Sequence, residues 1–137
     1  MLGEAYLLSG QTNEARKTAD QALETSAGVN FLLGVGLSHQ VLGRIERTEG
    51  FLTEAKKHLT VALQTFSSLN CRFEAGRTHL DLAALLNAQG IGQAIAGHLR
   101  EAYSLFRALR VSKYVERAEG FAREFGVPLL QNTDFRD

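Results

Sequence analysis

The sequence predicts an all-α fold of antiparallel helix pairs, and three observations carry that expectation. Ala, Leu, Glu, Arg and Gln run the length of the 137 residues, whereas proline occurs once, at Pro128, and tryptophan is absent. Glycines interrupt the helix-forming runs at short intervals. The chain also matches itself at a single offset: Gly10, Gly50 and Gly90 are forty residues apart, as are Leu2, Leu42 and Leu82, and Ala22, Ala62 and Ala102.

Taken in order, residues 2–10 match only the second half of a unit's first helix and should end at Gly10. The chain is therefore expected to start in mid-element, as a fragment of a longer protein or with its open end covered by another copy. A second helix follows through Ala15, Ala19 and Ala22 and completes unit 1–28. Unit 29–68 has a first helix from about Asn30 to Thr48, closed by Gly50 in the left-handed conformation, and a second from about Thr53 to Ser67. In that second helix Ala55, Leu59, Ala62, Leu63 and Phe66 keep the three-and-four spacing of one buried face. Unit 69–110 repeats the plan, from about Asn70 to Gln89 and from about Gln93 to Leu109. Residues 111–126 read as a capping helix with Tyr114, Ala118, Phe121 and Phe125 inward, and 127–137 as a tail without helical period.

Small residues have a place in this plan. Two antiparallel helices joined by a short turn approach closely only where the crossing carries glycine or alanine. Gly43 and Ala83 should stand there, facing Ala55 and Ile95.

These residues resemble a tetratricopeptide repeat array, whose signature places Leu-Gly, then a tyrosine, then spaced alanines along each helix pair. Here it stands as Leu2-Gly3 with Tyr6, His39 with Leu42-Gly43 and Glu46, and His79 with Leu82-Ala83 and Leu86. Histidine replaces the family's tryptophan, the closing proline is absent, and the period is forty rather than thirty-four. The longer unit is similar to repeats at the C-terminal end of large bacterial signalling ATPases, transcription activators and nucleotide-cyclase proteins. The resemblance implies a right-handed superhelical solenoid, about three repeats with the capping helix, and a scaffold for protein binding; the single cysteine and the start of the sequence, without a basic stretch and cleavage site, predict a cytoplasmic one.

Composition narrows the function classes. Fifteen basic residues balance fifteen acidic ones, so no overall field draws the chain to nucleic acid or an anionic membrane. The single Cys71 allows no internal disulfide, and no apolar run approaches the roughly 20 residues that span a bilayer.

Catalytic and metal chemistry find little support. His39 and His79 lie one period apart, as do His58 and His98, yet no cysteine or carboxylate repeats beside them to complete a metal site. The expectation is that His39 and His79 pack between helices while His58 and His98 lie near the solvent face. Cys71 has no evident base, and "GIGQAIAG" lacks the lysine and preceding strand of a phosphate loop. Glu46 with Glu49, and Glu116 with Glu119, read as solvated faces or partners for arginine. Neither a cofactor nor a metal is expected.

What remains is a surface. In tetratricopeptide proteins the first helices line the concave side, and carried over by position that stripe holds Gln40, Arg44, Arg47, Arg77, Asp81, Asn87 and Arg117. Arginine forks suit carboxylates and phosphates, so an acidic peptide or protein is the expected partner; internal pairing with Glu46, Glu74 or Glu116 is the competing reading. Val41 and Asp81 stand where an asparagine of the chaperone-binding carboxylate clamp would recur, so that ligand is not implied. The alternative function is homodimerisation through Leu2, Tyr6, Leu7 and Leu8 at the open N-terminal edge.

Overall fold

The structure, a computed structural model, describes the backbone of residues 2–129 and the side chains of residues 11–129. Among the described residues it is all-α: α1 Leu2–Gly28, α2 Leu32–Glu49, α3 Leu52–Ser68, α4 Arg72–Gln89, α5 Ile95–Leu109 and α6 Ser112–Phe125. The chain divides into two compact units, Met1–Leu69 and Asn70–Asp137. In the first, α2 packs against both α1 and α3; in the second, α5 packs against both α4 and α6.

The forty-residue period reappears in the backbone. Asn30, Asn70 and Arg110 all take left-handed φ, at 58°, 57° and 58°, and Gly50 and Gly90 take 89° and 74°. The helix ends share one hydrogen-bonding scheme. At the end of α2 the Gly50 N–H reaches the carbonyl of Arg47 and the Phe51 N–H that of Glu46; Gly90 and Ile91 repeat this after α4, and Arg110 and Val111 after α5. That double bond pattern satisfies carbonyls a helix end otherwise leaves open.

Burial follows the same offset. Leu59 and Leu99, Ala62 and Ala102, and Phe66 and Phe106 are each completely buried, 0% exposed. Each phenylalanine is matched by a glycine on the facing helix. A Cβ at Gly36 would stand 2.9 Å from Phe66 Cε1, and one at Gly76 would stand 2.8 Å from Phe106 Cε1. At the expected crossing, a Cβ at Gly43 would come within 2.6 Å of Leu59 Cγ and 3.3 Å of the Ala55 carbonyl oxygen. Ala83 lies with Ile95 and Leu99 in the second unit's core.

Unit 1 departs from the expected plan in one respect. Gly10 does not end a helix, because α1 runs unbroken from Leu2 to Gly28. Residues 2–9 make only about two turns, too short to repay opening the helix by burying a face. Without a helix folded back on that side, Ala15 and Ala22 are exposed, although their counterparts Ala55 and Ala62 are buried.

The C-terminal end is held further along than expected. Ala118 is fully buried, and Tyr114, Phe121 and Phe125 pack on the same core, as anticipated. Val127 and Leu129 join them, and Arg100 donates from Nε and Nη2 to the Pro128 carbonyl at 3.2 and 2.9 Å. The rest of the anticipated tail, residues 130–137, lies outside the described residues.

Candidate functional site

Unit 2 gathers two of the expected arginines on one aromatic ring. Arg77 of α4 lies 5.9 Å and Arg117 of α6 lies 5.6 Å from the centroid of Tyr114. The ring itself is fixed: Phe73 meets it edge-on at 4.9 Å and Phe106 packs at 5.1 Å. Arg77 also lies 5.8 Å from Phe73. Guanidinium planes attracted to an aromatic face lose side-chain freedom before any ligand arrives, which lowers the ordering cost of binding one.

Local spacing builds this cluster. Phe73 and Arg77 are one helical turn apart on α4, and Tyr114 and Arg117 are similarly placed on α6, so each arginine folds over a ring of its own helix. The turn spacing also brings Glu74 to Arg77, whose Nη1 donates to Oε1 at 3.2 Å. The Arg77 and Glu74 side chains are 29% and 20% exposed, so this pair is within reach of solvent. Arg117 is exposed. Internal pairing therefore holds for Arg77 through Glu74, as the competing reading required.

Asp81 is half-buried and Asn87 exposed further along α4. In unit 1, Arg44 is half-buried beside a shallow depression of about 270 Å³ shared with Gln11, Thr12, Ala15, Ile45 and Thr48. Arg47 is half-buried too, and its Nε has no hydrogen-bond partner among the described residues. Gln40 is only 2% exposed, so it belongs to the interior rather than to a groove. Helical spacing explains this: Gln40 falls on the buried face shared with Gly36 and Gly43. Leu2, Tyr6, Leu7 and Leu8 lie outside the described side chains.

His39 and His79 pack between helices as expected, whereas His58 and His98 depart from the expected solvent face. His39 faces His58 with ring centroids 5.2 Å apart, and His79 faces His98 at 5.1 Å. Each pair joins the two helices of one hairpin, so His58 and His98 are half-buried contacts rather than solvent-face residues. In unit 1 Glu46 sits under the pair, bonded to His58 Nδ1, and Arg16 of α1 bonds Glu49 and lies 3.9 Å from Glu46. The Glu49 bond, opposed by burial, keeps the Arg16 guanidinium charged, with its pKa raised. Sequence reasoning missed Arg16, although Glu46 and Glu49 had marked the acidic side of that contact.

No group of three or more metal-ligating side chains converges among the described residues, and none of the described helices is long and apolar enough to cross a membrane. Cys71 is a half-buried cysteine, in no disulfide, at the start of α4. No family model matches the chain, and neither a curated protein nor a solved structure matches it.

Proposed function

We propose that the protein is a non-catalytic interaction module, a tetratricopeptide-like array that binds an acidic peptide or protein segment through its first helices. One observation carries the reading: Arg77 and Arg117 are held together on Tyr114, with Glu74 as an exchangeable carboxylate on Arg77. Such an i,i+3 pair within reach of solvent contributes only about 0 to 1 kcal/mol, so an incoming carboxylate can replace it at little cost. The repeated helix ends and buried positions support the array; the long unit suits a regulatory module of a larger cytoplasmic signalling protein.

The test is anisotropy of a labelled poly-glutamate peptide, with poly-lysine as control. Binding should require the acidic peptide, weaken with salt, and fall at least tenfold in the double variant Arg77→Glu, Arg117→Glu. Equal binding by the variant, or preference for poly-lysine, rejects the site.

A second reading, self-association, rests on the length of α1. With 27 residues against 18 in α2, α1 extends past its neighbour, since Gln11 and Thr12 already stand beside Thr48 near the end of α2. A second copy is the proposed cover for residues 2–10.

A further inference from the structure

The two histidine pairs occupy equivalent positions, forty residues apart, but their polar surroundings differ. In unit 1 His58 turns its Nδ1 to Glu46, and His39 Nδ1 is left without a hydrogen-bond partner among the described residues. In unit 2 the corresponding rings bond each other, Nδ1 to Nδ1, at 2.9 Å. Position 86, forty residues after Glu46, is a leucine, 2% exposed. We propose that the facing His79 and His98 imidazoles form an acid-sensitive latch between α4 and α5, which loosens unit 2 ahead of unit 1 as pH falls.

The chemistry of the contact sets the response. A hydrogen bond between two Nδ1 atoms needs a proton on one and a lone pair on the other. It survives with both rings neutral, or with one ring cationic and donating. A second proton leaves two N–H groups facing each other with no acceptor between them.

His79 is where that second proton is resisted. Burial first, and then the charge of His98, lower its pKa from 6.5 to about 4. From α5 the titratable group facing it is His98; from α6, Tyr114 is turned to Phe73 and Phe106 instead. On α4 itself, Arg77 is engaged by Glu74 and the aromatic rings.

Because the folded-state value lies below 6.5, the unfolded chain takes up the proton first. The stabilisation of unit 2 is therefore complete above pH 6.5, declines as pH falls toward 4, and declines no further from this group below about 4. His39 in unit 1 has a lowered pKa from burial and from His58, so the sign there is the same. The response is smaller, because His58 Nδ1 is bonded to Glu46 and His39 Nδ1 makes no bond to the facing ring, so unit 1 has no ring-to-ring hydrogen bond to lose.

Amide hydrogen exchange on the full chain at pH 7 and pH 5, corrected for the intrinsic pH dependence of exchange, tests the latch. The opening constants of α4 and α5 amides should rise roughly twenty-fold, as a shift from 6.5 to about 4 requires, and those of α2 and α3 by less. In His79→Gln, which keeps a donor and an acceptor for His98, the rise in α4 and α5 should disappear. Equal loosening of both units, or a rise that persists in the variant, overturns the proposal. Should that variant fail to fold at pH 7, the ring resonances of His79 in the unaltered chain decide: a midpoint well below 6.5 supports the latch, and one near 6.5 overturns it.

Discussion

Gly43 is the residue at which one carbon atom decides how closely α2 and α3 can pack. Its absent Cβ would lie 2.6 Å from Leu59 Cγ, and Leu59 is fully buried and has no room to withdraw. Gly43→Ala should therefore cost about 1 to 3 kcal/mol, and Gly43→Leu should prevent the hairpin from forming. Urea unfolding checks both, and an unchanged midpoint for Gly43→Leu would refute the packing argument. This position was legible because closely crossing helices demand a small residue and the forty-residue offset marked which one. Gln40 was not, since a polar residue three positions before Gly43 reads as exposed unless the interior direction of α2 is known. The expectation for His58 and His98 failed for a related reason: sequence offset pairs equivalent positions of different repeats, whereas the contacts run across one hairpin, from His39 to His58 and from His79 to His98.

At the scale of elements, helix ends are the most regular feature of the chain. Asn30, Asn70 and Arg110 share the same left-handed turn, but only the asparagines have a short polar side chain suited to it. Arg110→Gly should stabilise the α5–α6 junction by about 1 kcal/mol, read as a higher thermal midpoint. A lowered midpoint would mean that the arginine side chain contributes more than its backbone strain costs. The ends of α2 and α4 were legible from Gly50 and Gly90, whose left-handed φ of 89° and 74° is what a terminating glycine supplies. The same reading failed at Gly10, inside α1, because a glycine permits a break without imposing one. What imposes it at Gly50 and Gly90 is a following helix that returns to bury a face, Leu59 against Gly43 in one unit and Leu99 with Ala83 in the other.

For the whole molecule, the repeat was legible while the use of its surface was only partly so. Seven residues had been expected along one groove, and within unit 2 Arg77 and Arg117 meet on the Tyr114 ring. Tyr114 was read as an inward core residue and is also the platform for both cations; the three- and four-residue spacings to Arg117 and from Phe73 to Arg77 were the available signal. Self-association belongs to this scale as well. Light scattering over a wide concentration range should show a dimer that Leu7→Gln with Leu8→Gln returns to monomer, while Arg77→Glu with Arg117→Glu leaves it intact; a monomer at every concentration removes that reading. The account's central claim is acidic-partner recognition, and the most direct measurement is an isotope-edited spectrum of the chain titrated with poly-glutamate peptide. Saturating shifts of the Arg77 and Arg117 Nε–H groups and the Tyr114 ring are predicted, and no saturating shift at these three residues would contradict the claim.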